Sequence, residues 1–182
     1  MPTTPQTRTA AARLASAATA TAALIATPAA AGGLEVEITL PEIDAAPYYR
    51  PYLAAWIEDA AAKEIRGTVA VWYDTRLRDN IGAGFLRSLR TWWRSTGEAM
   101  TLPADGISGP THGPGSHALT IPGDSGVLAA LAPGDYVLVA EVAREDGGRE
   151  VLRAPFAWGG AANAGEAGGD TEITRLRVSV TP

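Results

Sequence analysis

The stretch Leu34–Leu40, LEVEITL, alternates without a fault: Leu34, Val36, Ile38 and Leu40 fall on one side, and Glu35, Glu37 and Thr39 on the other. Successive side chains of an extended chain point to opposite faces, so this segment buries its apolar half only as a strand laid against a second layer. Comparable runs recur. Tyr52–Glu58 and Thr68–Tyr73 read as strands joined by the short, turn-like DAAAKE, which predicts a hairpin. His117–Ile121, Tyr136–Ala143, Glu150–Trp158 and Ile173–Val180 follow, with Gly, Pro and Asp turn residues between them. About seven strands in this arrangement predict a mainly β chain, an immunoglobulin-like antiparallel β-sandwich. Pro155 marks a strand end or an edge. The stretch LAPGDY, Leu131–Tyr136, has the form of a tyrosine corner, with Tyr136 bonded back to the backbone and Leu138 in the core.

One segment departs from the period of two. Between Gly84 and Thr96, apolar residues fall at 85, 86, 89, 92 and 93, a stripe about 120° wide on a helix. This predicts one inserted amphipathic helix, about 84–96, stopped by Gly97. Phe85, Leu89 and Trp92 flank the centre of the packing stripe, Leu86 and Trp93 lie toward one edge, and Arg87, Arg90 and Arg94 face solvent. The Gly-rich stretches 102–117 and 159–170 read as loops.

Residues 1–31 read as a cleavable Sec-type signal peptide. Arg8 and Arg13 form a positive leader without acids, Leu14–Thr27 is uncharged and apolar, and Ala29 and Ala31 precede a cleavage point expected after Ala31. The apolar run is too short and too rich in Ala and Thr for a transmembrane span. The expected mature chain is one domain, residues 32–182, periplasmic or secreted, with no transmembrane segment. Without Arg8 and Arg13 it carries 13 basic and 20 acidic residues, a net charge of −7. That balance argues against nucleic acid or anionic lipid as a general partner and leaves room for a local basic patch. Cysteine is absent, which excludes disulfides, thiol nucleophiles and thiolate metal sites.

No catalytic constellation stands out. The GDSG of Gly123–Gly126 resembles a serine-protease nucleophile motif, but Val127 follows it and turn residues explain it. His112 and His117 are the only histidines; a metal site there needs further ligands, for which Asp105 and Asp124 are nearest in sequence. Glu58, Asp59 and Asp74 end two neighbouring strands and offer carboxylates of the kind glycosidases pair. The aromatics are the stronger lead: Trp56, Trp72, Tyr73, Trp92, Trp93 and Trp158, with Tyr48, Tyr49 and Tyr52. Trp56 and Trp72 are expected in the core. Arg50, Arg76, Arg94, Arg144 and Arg149 have Asp59, Asp74, Asp79 and Glu145 as expected neighbours, an arrangement suited to holding the helix or an anionic ligand. Arg87, Arg90, Arg94, Trp93, Arg76 and Asp74 are the candidate binding residues.

The blocks YRPYLAAWIED, VWYDTRL, FLRSLRTWWR and PGDYVLVAEVAREDGGREVLRAPFAW, in that order, resemble the predicted periplasmic proteins of the bacterial domain-of-unknown-function family 2271. The likeness runs from about Leu34 to the C-terminus. The half containing PGSHALTI and LAPGDYVLV is also similar to the immunoglobulin-like repeat of flagellar hook-capping proteins, with IPGD where that repeat carries a Trp-Asp-Gly strand end. The family resemblance implies a sandwich, export, and genes near flavin- or iron-linked membrane redox proteins. It also sets a histidine where this chain has Tyr49. It carries over no activity and no cofactor. The expected function is a non-catalytic exported module that binds a partner protein in an envelope-associated system. A carbohydrate- or small-ligand-binding module using surface Trp and Tyr is the alternative, and a metal-assisted enzyme around His112 and His117 the second.

Overall fold

Strand Tyr52–Asp59 is buried along seven of its eight residues, so both faces of its sheet are covered, and that decides the architecture. The computed structural model describes Met1 and residues 32–182. The expected signal peptide and its cleavage after Ala31 fall, Met1 apart, outside the described residues. The strands are β1 (Gly33–Leu40), β2 (Tyr52–Asp59), β3 (Ile65–Trp72), β4 (Ser108–Gly109), β5 (Gly115–Pro122), β6 (Gly134–Ala143), β7 (Arg149–Trp158), β8 (Asn163–Gly168) and β9 (Arg175–Thr181). They form one sheet in the order β5-β1-β9-β8 and a second in the order β4-β3-β2-β6-β7. Every pairing is antiparallel except the two-residue contact of β4 with β3.

The two sheets pack as a sandwich. Its core takes Leu34, Val36, Ile38 and Leu40 from β1, as their alternation requires, and Leu176, Val178 and Val180 from β9. Facing them are Leu53, Ala55 and Ile57 of β2 and Leu138, Ala140 and Val142 of β6. Tyr136 makes the expected corner: its hydroxyl donates to the Ala132 carbonyl at 2.8 Å. A second core lies on the other face of the second sheet. There Ala54, Trp56, Val71, Tyr73 and Val139 meet Leu86, Leu89 and Trp92 of the segment after β3. Trp72 faces the sandwich core, whereas Trp56 faces this outer one.

Three expectations are corrected. The inserted helix is not continuous. It consists of α1 (Ile81–Gly84), a 3-10 turn at Phe85–Ser88 and α2 (Arg90–Ser95), with Leu89 at φ −78°, ψ 71° breaking the run. The break turns Leu86 inward and leaves Phe85 43% exposed. The 159–170 stretch is not simply a loop, because β8 lies within it, and the strands number nine among the described residues. Glycine serves β8 because the strand passes close to β7: a Cβ on Gly165 would overlap the Pro155 carbonyl. Asn163 fastens the same edge, accepting from Ala157 N at 3.0 Å and donating to Ala157 O at 2.8 Å. Finally, Asp59 and Asp74 are not neighbours. β2 and β3 are antiparallel, so these acids close opposite ends of the hairpin, roughly 20 Å apart at strand spacing, too far for a glycosidase pair.

The β6–β7 hairpin anchors the remaining elements. Glu58, 5% exposed, accepts from Trp56 Nε1 at 2.7 Å and from Arg153 at 2.6 and 3.3 Å. Glu172, 3% exposed, accepts from Arg144 and from Gly148 N. Glu150 collects four backbone N–H groups, from Asp170 to Ile173. The replacement Gly165→Ala is expected to lower stability by about 1–3 kcal/mol through overpacking against β7. Gly168→Ala, where the nearest atom is 4.0 Å away, should be near neutral. Urea unfolding midpoints of the two variants check this, and equal midpoints would refute the close approach.

Candidate functional site: a tyrosine-lined groove and an arginine cleft

Within the helical insertion, seated by Leu86, Leu89 and Trp92, one carboxylate fixes the start of α2. Because Leu89 breaks the helix, α2 starts without a side-chain cap of its own. Glu141, in the middle of β6 and fully buried, supplies it: its carboxylate accepts from Thr91 N at 3.1 Å and Trp92 N at 2.8 Å. Arg149 balances the charge, donating from Nε to Glu141 and from Nη2 to Thr91 Oγ1, both at 2.5 Å. Trp92 is buried and its indole N–H donates to Thr68 Oγ1 at 3.0 Å. Gly97 follows as the sequence suggests, but for space: a Cβ there would lie 2.5 Å from the Trp92 ring.

A groove of about 430 Å³ opens where this insertion meets the end of the second sheet. Tyr48, Tyr49 and Arg50 come from the chain before β2, and Tyr52 from β2 itself. Asp74, Arg76 and Leu77 follow β3, Phe85 belongs to the insertion, and Thr111 and Glu145 come from two loops. Phe85, turned outward by the break at Leu89, stacks on Tyr52 with ring centroids 6.0 Å apart and planes 9° from parallel. Arg76 Nε lies 3.6 Å from Asp74 Oδ1. Burial, with Glu145 and Asp74 nearby, raises the Tyr52 pKa above its ordinary 10.0, so its hydroxyl keeps its proton. Tyr49, Leu77 and Phe85, each 38–43% exposed, are among the few large apolar side chains the domain leaves open, and all three line this groove.

Beside the groove stand the two histidines. Their rings lie 4.6 Å apart, and Trp72 packs on both, at 4.4 Å from His112 and 5.7 Å from His117. His117 Nε2 bonds Gly113 O at 2.8 Å. Among the described residues no group of three or more His, Cys, Asp or Glu side chains gathers as a metal site, so the pair is accounted for as an aromatic cluster. Ser125 of GDSG donates to Pro122 O within a turn.

A second cavity, about 440 Å³, is lined by Arg90, Thr91, Arg94, Ser95 and Arg149. The six candidate binding residues therefore divide. Asp74 and Arg76 lie in the groove, while Arg90 and Arg94 lie in the cleft. Arg87 sits over the half-buried Trp93, 5.9 Å from the ring centroid. Of the arginines and acids expected as neighbours, Arg76 and Asp74 do meet, whereas Arg144 pairs with Glu172 and Arg149 with Glu141, acids outside the expected set. Asp59 pairs with Arg66 instead. Its carboxyl is held down to about 2, first by the Ala62 N–H, then by Arg66 and the Ala61 N–H.

Residues 33–175 match the family described as "Predicted periplasmic protein (DUF2271)". The chain belongs to this family. No curated protein and no solved structure matches it, and the likeness of its second half to the hook-capping repeat gains no support. Among the described residues of this DUF2271 protein no helix is long and apolar enough to cross a membrane.

Burial, the adjacent His117 and the Arg50 charge hold the His112 pKa below its ordinary 6.5. The unfolded chain therefore takes up this proton first. The contribution of His112 to stability is complete above pH 6.5 and is lost as pH falls below that value toward the folded pKa. NMR titration of the imidazoles should place His112 below 6.5 and shift it upward in Arg50→Gln. A midpoint at or above 6.5 in the native protein would contradict this packing.

Proposed function

We propose that this DUF2271 domain is an exported, non-catalytic binding module whose ligand is a carbohydrate held in the tyrosine groove. The observation that carries this reading is the convergence there of Tyr49, Leu77 and Phe85, exposed apolar side chains that a domain without a ligand gains nothing by leaving open. Around these apolar surfaces stand a guanidinium pair, Arg50 and Arg76, and two carboxyl groups, Asp74 and Glu145. A sugar ring presents an apolar C–H face and a rim of hydroxyls. Aromatic faces with planar, bidentate hydrogen-bonding groups beside them match both. The groove falls within the size range of small-ligand sites.

The reading of a partner protein in an envelope redox system rests on the family resemblance alone, and no distance or contact favours it over a ligand. The reading of an enzyme around His112 and His117 lacks a third metal ligand among the described residues.

Calorimetric titration of residues 32–182 with a panel of neutral and acidic oligosaccharides tests the proposal. Saturable binding is expected with at least one of them. Tyr49→Ala, a change at an exposed side chain, should weaken it about tenfold, as loss of a stacking ring and its buried area predicts, and leave the unfolding midpoint unchanged. Absence of binding across the panel, or undiminished binding by Tyr49→Ala, would contradict the groove as the site.

A further inference from the structure

The arginine cleft is separate from the tyrosine groove, and its charges are not balanced. Arg90 and Arg94 lie one turn apart on α2 and line the same 440 Å³ cavity as Arg149. Like charges at this spacing repel and weaken a helix. Arg149 is balanced by Glu141; among the described residues neither Arg90 nor Arg94 has a carboxylate within ion-pair distance. The cleft thus holds two uncompensated positive charges on a domain that is acidic overall.

The third guanidinium is fixed in place. Arg149 is held through Nε by Glu141 and through Nη2 by Thr91 Oγ1, and its Nη1 has no hydrogen-bond partner among the described residues. A partly sheltered guanidinium held at two points and flanked by two exposed ones provides a planar fork and two further donors. Ser95 adds no donor, because its hydroxyl is given to Thr91 O at 2.8 Å. The N–H groups that open α2 add none either, since Glu141 occupies them. What remains is a donor set of guanidinium groups with the Thr91 hydroxyl, which accepts from Arg149 and keeps its own proton to give, and such a set selects charge and oxygen geometry over ring shape.

We propose that this cleft binds a phosphate-type oxyanion, either a free phosphate or the phosphodiester of an anionic lipid headgroup. A tetrahedral anion accepts from several guanidinium groups at once and relieves the repulsion between Arg90 and Arg94. Its binding is independent of the tyrosine groove.

The test uses residues 32–182 at low ionic strength, where partly exposed charges are least screened. Pyrophosphate is titrated calorimetrically, and vesicles of phosphatidylglycerol or of phosphatidylcholine are co-sedimented with the protein. Binding of pyrophosphate or of phosphatidylglycerol vesicles is expected, with phosphatidylcholine inert. Pyrophosphate alone identifies the free anion as the source, and phosphatidylglycerol alone identifies the headgroup. The double variant Arg90→Gln/Arg94→Gln, altered at exposed positions only, should lose about tenfold or more of the affinity. Arg87→Gln, whose side chain lies over Trp93, should stay within about twofold. Circular dichroism confirms that both variants fold. Binding of neither probe, undiminished binding by the double variant, or an equal loss in Arg87→Gln would overturn the proposal.

Discussion

A single fully buried carboxylate, that of Glu141, sets what the outer half of this domain can be. Burying an unpaired charge costs several kcal/mol even after relaxation. Glu141 is tolerated in the middle of β6 because two backbone N–H groups of α2 and the Arg149 guanidinium meet it. The dependence runs both ways. The α2 segment is six residues long and has no cap of its own, far below the length at which a helix persists alone. The sheet carboxylate and the helix start therefore each supply what the other lacks. Buried ion pairs are weak contributors to net stability, but removing one partner of such a pair is strongly destabilising. Any other seating of the insertion would leave Glu141 with Arg149 as its one partner among the described residues.

From that constraint the second sheet acquires two covered faces, and two openings follow. With Leu86, Leu89 and Trp92 committed to the sheet, Phe85 is turned outward onto Tyr52 and forms one wall of the groove. With Arg149 committed to Glu141, the exposed side of α2 keeps Arg90 and Arg94 without acid partners among the described residues, and the cleft is basic. The β6–β7 hairpin repeats the same device. Arg153 holds Glu58, Arg144 holds Glu172, and Glu150 gathers the backbone of 170–173. In this cysteine-free domain, carboxylates facing arginines and backbone N–H groups thus fix loops and the insertion onto the two hydrophobic cores.

Much of the sandwich was legible in the chain. β1 alternates as LEVEITL does, and Tyr136 closes its corner, because both features depend on residues close in sequence. What was not legible is long-range or counter to habit. β8 reads as a loop because its glycines and alanines carry no apolar signal; Gly165 among them is there for the backbone of Pro155. One helical period through Leu89 sets Phe85 near the centre of the packing stripe and Leu86 toward its edge, whereas the break buries Leu86 and leaves Phe85 open. Glu141 offered a signal, a lone charge within VLVAEVA, but alternation places it away from the sandwich core, where a strand usually meets water. Only the insertion, some fifty residues upstream, converts that face into an interior. The members of the groove were visible singly as Tyr48, Tyr49, Tyr52, Asp74 and Arg76. Their convergence needed the topology.

The seating of α2 depends most directly on the hydrogen bonds from Thr91 and Trp92 to Glu141, and amide hydrogen exchange reads them residue by residue. A six-residue helix held only by its own turns frays and exchanges quickly. If Glu141 pins it, the Thr91 and Trp92 amides, at the first turn where helices are normally unprotected, exchange as slowly as the central amides of β2 and β6. Exchange of these two amides at the rate of an exposed turn, while the strands stay protected, would show that Glu141 does not pin α2.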